Sequence, residues 1–140
     1  ARTVRCESPN CGAEIPLIRS FWLCKKPIRK RALRYTIERQ KGQPPGVVFE
    51  IFEPKNDRDV SGGTVRRAKA TCLCCGNVLP PDRVRSQLVE QRGGADTAID
   101  KHGHRTGGAR LLAVVTIRED TAGRSYRLAT DADYAAALTA

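Results

Sequence analysis

Along RALRYTIER, residues 31 to 39, Leu33, Tyr35 and Ile37 fall on one face of an extended chain and Arg34, Thr36 and Glu38 on the other. Side chains alternate across a strand with a period of two, so this pattern predicts a half-buried strand. The stretch before it, AEIPLIRSFWL (13 to 23), is also alternating and β-branched. The stretch after it, VVFEIF (47 to 52), resumes extended character beyond the turn signal GQPPG (42 to 46). Residues 31 to 53 therefore predict a long hairpin. DRDVSGG (57 to 63) reads as a loop, and TVRRAKATC (64 to 72) as a single returning strand. In PPDRVRSQLVEQRGG (80 to 94) proline stands at the start, Val84 and Leu88 are four apart, and Gly-Gly follows, the signature of a short helix. ARLLAVVTI (109 to 117) predicts a buried strand, and TDADYAAAL (130 to 138) a terminal helix capped by Thr130. The expected class is β-rich, α+β, with two short helices.

The cysteines add chemistry to this scaffold. Cys6 and Cys11 are separated by four residues, Cys72 and Cys75 by two, and glycine follows each pair at once, Gly12 and Gly76. A tight turn sets two sulfurs on one side of the backbone, and the glycine lets the chain curl so that amides face the thiolates. Two such knuckles form a tetrahedral four-sulfur zinc site, which makes the expected fold a zinc ribbon with a long β-hairpin insertion. The 60 residues between Cys11 and Cys72 are no obstacle, because loop-closure entropy grows only slowly with length.

The thiols have two other conceivable uses. A redox pair would rest on Cys72 and Cys75 alone, and would want its first cysteine at a helix N-terminus. Gly76, Asn77, Pro80 and Pro81 argue against a helix there. Structural disulfides belong to oxidising compartments. The N-terminus lacks the pattern of a secretory signal, and no apolar run is long enough to span a bilayer. The expectation is thus a cytoplasmic protein without membrane contact, carrying one zinc per chain. Cys74 could replace a neighbour as ligand, but inside its turn it is expected to point away from the metal, and Cys24 to be a small buried hydrophobe. His102 and His104, in DKHGHRTGG, are loop histidines beside a ligand set already complete with four thiolates.

Charge sharpens the picture further. Residues 19 to 41 carry nine Lys or Arg against Glu38 alone, a local balance of +8 in a chain whose total is +10. The alternatives are a solvated hairpin face and a surface for the phosphate backbone of nucleic acid. The densest part, KKPIRKR (25 to 31), with Arg34 beyond it, nominates Lys25, Lys26, Arg29, Lys30, Arg31 and Arg34 as DNA contacts. No nucleophile with a partner base stands out, and no glycine-rich turn opens a phosphate cradle. A closed structural zinc site keeps no open position for catalysis. The chain alone is therefore expected to be non-catalytic.

In order along nearly the whole chain, ARTVRCESPNCGAEIPLIRSFWLCKK, GGTVRRAKATCLCCGNVLP, VRSQLVEQRGGA, GGARLLAVVTIRE and YRLATDADY together resemble the zinc-ribbon region embedded in a family of large prokaryotic adenine-specific DNA methylases. The resemblance implies a parent that uses S-adenosylmethionine to methylate the exocyclic amine of adenine. It makes residues 1 to 140 one zinc-ribbon-containing domain inserted in the methyltransferase domain, its partner in the same polypeptide. It places the zinc ligands on Cys6, Cys11, Cys72 and Cys75. The family's second knuckle commonly reads Cys-Pro-x-Cys-Gly; here Leu73 replaces the proline and Cys74 fills the variable position. The family's catalytic Asp/Asn-Pro-Pro-aromatic motif is not in this chain: GQPPGV and VLPPDR hold Pro-Pro without its flanking residues. The absence of methionine fits a segment of a longer chain. The expected job is DNA-backbone binding on behalf of the parent; the alternative is a structural or oligomerisation insert that braces the methyltransferase core.

Overall fold

The computed structural model describes residues 1–91, 98–99, 105–117 and 124–139. Two short β-hairpins form one end. The first pairs β1 (Thr3–Arg5) with β2 (Glu14–Pro16), antiparallel with Val4 opposite Ile15, and its loop is the first cysteine knuckle. Between the two knuckles lies a three-stranded antiparallel sheet of β3 (Trp22–Lys26), β4 (Arg29–Glu38) and β5 (Gly46–Phe52), with β4 in the middle. A 3-10 turn at Asp57–Asp59 then leads to β6 (Val65–Arg66), β7 (Lys69–Thr71) and β8 (Val78–Leu79). The β7–β8 loop is the second knuckle.

Helix α1 (Pro81–Glu90) follows, its first turn opened by Pro81, where a missing amide costs nothing. Two further antiparallel pairs complete the strands: β9 (Ala98–Ile99) with β10 (Arg105–Gly107), and β11 (Val114–Ile117) with β12 (Arg124–Arg127). Helix α2 (Asp131–Thr139) ends the description. The outcome is the expected β-rich α+β class, built from several small antiparallel sheets.

The alternation read in residues 31 to 39 is realised. Leu33, Tyr35 and Ile37 lie opposite Ile51, Phe49 and Val47 across the β4–β5 pair. Their inward face closes over Phe21, which is fully buried, its ring centroid 5.8 Å from Tyr35 and 6.1 Å from Phe49. A second core gathers Val4, Ile15, Ala70, Leu79 and Val84 around Cys6 and Cys72. Cys74 packs against both cores.

Three expectations need correction. Residues 64 to 72 do not form one strand but a tight hairpin, β6–β7, turning at Arg67 and Ala68 with φ of 52° and 64°. Left-handed backbone without glycine is costly, and tertiary contacts impose it. Thr64 is pinned to the segment before β3: its amide donates to the Ile18 carbonyl at 2.7 Å, its Oγ1 accepts from the Ile18 amide at 3.0 Å and donates to the Pro16 carbonyl. The chain must reverse at once to bring Ala70 under Leu79. The buried strand expected at 109 to 117 is shorter and wetter: only Val114–Ile117 is extended, and Val115 and Ile117 face solvent. Its apolar run instead begins as a strap, in which Ala109 bridges Arg2 and Arg110 donates to the Val47 carbonyl at 2.7 Å while stacking over Phe49. Thr130 does stand at the cap of α2, its carbonyl accepting from the Asp133 and Tyr134 amides at 3.0 and 3.2 Å, but its hydroxyl donates to the Asp133 carboxylate instead of accepting from the first turn, and that carboxylate accepts from the Thr130 amide at 2.7 Å.

Candidate metal centre

Each knuckle is the loop of a short hairpin, so paired strands set the spacing of its sulfurs. In the first, the Cys6 amide donates to the Ala13 carbonyl at 2.8 Å and the Cys11 amide to the Ser8 carbonyl at 3.1 Å. In the second, the Cys72 amide donates to the Asn77 carbonyl and the Gly76 amide to the Cys72 carbonyl, at 2.8 and 2.9 Å. Gly12 and Gly76 take φ of 72° and 78°, the left-handed turn anticipated after each second cysteine.

The two loops meet. The Sγ atoms of Cys6, Cys11, Cys72 and Cys75 all lie within 4.8 Å of one another. Cys6 Sγ is 3.5 Å from Cys75 Sγ, and Cys11 Sγ is 3.7 Å from Cys72 Sγ. A tetrahedral four-thiolate site with metal–sulfur bonds of about 2.3 Å has sulfur–sulfur edges of about 3.8 Å, so the donors fit a single metal ion. All six cysteines carry free thiols. Burial pushes the Cys6 thiol up, against an opposing hydrogen bond from the Ser8 backbone, and pushes Cys11 up to about 12. The Asn77 amide, donating to Cys75 Sγ at 3.4 Å, holds the Cys75 thiol down. A cation between the four sulfurs relieves what burial imposes on the thiolates.

Cys74 is not among the four. It sits between the two cores, and burial raises its thiol to about 11. It packs against both cores and also touches Cys72. Cys24 differs from expectation: it is only half-buried, because β3 lies at the edge of its sheet with Cys24 near Tyr126. Hydrogen bonds from the Lys26 backbone and the Tyr126 side chain draw its thiol below the ordinary value. His102 and His104 lie outside the described residues.

The residues that hold the knuckles to α1 carried no motif. Arg83, Gln87 and Gln91 recur every four positions on one side of the helix and reach the first knuckle hairpin. Arg83 forks onto Glu7 at 2.9 and 2.6 Å, Gln87 pairs with the backbone of Arg5, and Gln91 Nε2 donates to the Thr3 carbonyl at 2.9 Å. The four-residue polar spacing was the available signal.

The six nominated DNA contacts divide in two. Arg34 forms a bidentate pair with Glu50 at 2.9 and 2.8 Å and stacks on Phe52; Arg31 lies 3.5 Å from Glu53, and Lys25 3.7 Å from Asp57. These acids come from β5, the residue just after it and the 3-10 turn, outside the 19 to 41 window, so counting charge along the chain missed them. Lys26, Arg29 and Lys30 have no acidic partner within 4.0 Å among the described residues. They cluster at the β3–β4 tip, where Lys26 stands opposite Arg29 and Lys25 opposite Lys30.

Among the described residues, no helix is long and apolar enough to cross a membrane. Compared with family models, curated proteins and solved structures, the chain matches none.

Proposed function

We propose that the chain is a zinc ribbon that positions a basic hairpin on the DNA backbone, as a non-catalytic module of an S-adenosylmethionine-dependent adenine methylase. The observation that carries the metal part is the convergence of four thiols from two separate hairpins. Soft thiolate donors in a closed tetrahedral set suit zinc. Cys6, Cys11, Cys72 and Cys75 would hold the ion, which would supply folding energy, since four protein ligands leave no open position for substrate. The parent's chemistry rests on the sequence resemblance alone, and its cofactor and catalytic motif belong to other parts of the polypeptide.

The DNA part is supported by Lys26, Arg29 and Lys30, cations at the hairpin tip without an acidic partner among the described residues. Contacts of this kind position a protein on the duplex without reading sequence. Three phosphate contacts give a slope of log affinity against log salt of about −3. The test is fluorescence anisotropy with duplex DNA over a salt series, comparing the chain with its Lys26→Ser, Arg29→Ser, Lys30→Ser variant. Loss of the slope with full zinc content supports the reading. Unchanged affinity and slope would reduce the tip to a solvated face.

One observation favours the bracing alternative. Leu17, Val65, Ala70, Val84 and Leu88 line a cavity of about 390 Å³ between α1 and the β6–β7 hairpin. An apolar recess of that size could seat part of the methyltransferase core. Unchanged DNA binding in the tip variant, together with burial of this recess in the full-length protein, would select that reading.

A further inference from the structure

The β3–β4 hairpin ends in a two-residue turn, Pro27-Ile28, which is not the pair that such a hairpin favours. Two-residue hairpin loops favour Asn-Gly or Asp-Gly, because the turn types that match strand twist need positive φ. Here proline fixes φ near −65° at the first position, and Ile28 is not among the positive-φ residues. The Ile28 side chain is 96% exposed, the most exposed of the large hydrophobics described. Burying an isoleucine ordinarily stabilises a fold, and this one, left in solvent, contributes nothing of the kind.

The arms behind the tip are set against themselves. Lys25 faces Lys30 and Lys26 faces Arg29 in register, and like charges directly opposite one another destabilise a strand pair. The same end of the molecule carries Arg124, which with Lys26, Arg29, Ile28 and Ile117 lines a recess that, among the described residues, has no carboxylate in its wall. Ile117 is itself 74% exposed. An apolar point thus stands in a ring of cations that repel one another.

From this arrangement we infer that Pro27-Ile28 is a wedge that enters the minor groove of duplex DNA and opens a base step. The inference rests on the phosphate-contact reading and adds to it what the apolar tip does. Apolar side chains inserted between base steps unstack them and kink the duplex, and the bend brings more phosphate onto the protein. Hairpin arms are about 5 Å apart axis to axis, so the ribbon itself is wider than an undeformed minor groove of about 6 Å. Only the two-residue tip enters, and the groove widens as the step opens, while cations on both arms meet phosphates on both walls. The self-repulsion of Lys25, Lys26, Arg29 and Lys30 is relieved by the same contacts. Flexible pyrimidine–purine steps are the easiest to open, so they are the expected points of entry.

The test uses the zinc-loaded 140-residue chain and a 30-base-pair duplex with a central TA step, labelled at its ends for energy transfer. A second duplex, pre-kinked by a two-nucleotide bulge, and vesicles of phosphatidylserine and phosphatidylcholine are the comparison probes. The chain should shorten the end-to-end distance and bind the bulged duplex about tenfold tighter than the straight one. Ile28→Ser, a change at a solvent-facing side chain, should keep the salt slope while losing the bend and the preference for the bulge. If the chain binds with the expected salt slope but leaves the duplex straight, or if Ile28→Ser bends it equally, the wedge is refuted and the phosphate grip stands. If the chain binds neither duplex, both readings fall. Binding to the vesicles that depends on Ile28, with no bending of DNA, would also overturn the wedge and assign the tip to a lipid surface.

Discussion

Gln87 of α1 uses both ends of its carboxamide on the main chain of Arg5: Oε1 accepts from the Arg5 amide at 2.7 Å, and Nε2 donates to the Arg5 carbonyl at 2.8 Å. A helix side chain thus completes the open edge of β1, the strand that leads into Cys6. The two knuckles are held in one place by this seam as much as by their own hairpins. Gln87→Ala should lower stability by about 1–2 kcal/mol, two ordinary hydrogen bonds at partly exposed positions. Urea denaturation of the metal-loaded protein reads this, and the metal content should stay at one ion per chain.

Glu7 and Arg83 extend the same seam and make it sensitive to acid. The Arg83 guanidinium, with a smaller contribution from Gln87, holds the Glu7 carboxyl below its usual range. A carboxylate whose folded pKa is depressed stabilises the fold above its unfolded value, and that contribution is lost as the pH falls through the folded one. Stability should therefore decline below about pH 4.5 more steeply in the native chain than in Glu7→Gln. Parallel pH profiles of the two proteins would contradict the assignment.

Gly63 marks the place where the second knuckle's approach strand crosses the first segment of the chain. A Cβ there would overlap the Ile18 carbonyl oxygen and the Arg19 main chain, backbone atoms that cannot swing aside. Gly63→Ala should destabilise by about 1–3 kcal/mol or more and loosen the Thr64 tie to Pro16 and Ile18. A thermal melt unchanged by this substitution would show that the crossing is slack.

Cys74 and Cys75 are neighbours with different work. Cys74 is packed between the two cores, so Cys74→Ser buries a hydroxyl among apolar groups and should cost about 1–3 kcal/mol while leaving the metal in place. Cys75→Ser removes a sulfur from the cluster and should abolish stoichiometric binding. The opposite pattern, metal lost with Cys74→Ser and kept with Cys75→Ser, would move the ligand register by one residue.

The sequence made the cysteine cluster and the β4–β5 pair legible because both are written locally. Cys-x4-Cys-Gly and Cys-x2-Cys-Gly carry their turn chemistry in the spacing, and Leu33, Tyr35 and Ile37 carry their burial in the alternation. What was not legible depends on partners far along the chain. Nothing local announces that Arg67 and Ala68 adopt left-handed backbone; Thr64, pinned 46 residues away to Ile18, imposes it. The run LLAVVTI predicts burial, yet α2 and the sheet edge claim only part of it: Leu111 donates its amide to Tyr134 while Ile117 is left to solvent. Charge followed the same rule. Arg34 reads as an uncompensated cation along the chain, and only the register places Glu50 opposite it.

The central claim is a single zinc held by four thiolates, and native mass spectrometry of protein purified without added metal tests it most directly. Metal binding displaces thiol protons, and burial pushes Cys11 up to about 12, so uptake at pH 7 should release on the order of 3 to 4 protons and weaken as the pH falls. The account predicts one zinc per chain at neutral pH, lost on acidification and absent from Cys6→Ser and Cys75→Ser. A chain that carries no stoichiometric metal, or that keeps it when either cysteine is replaced, would contradict it.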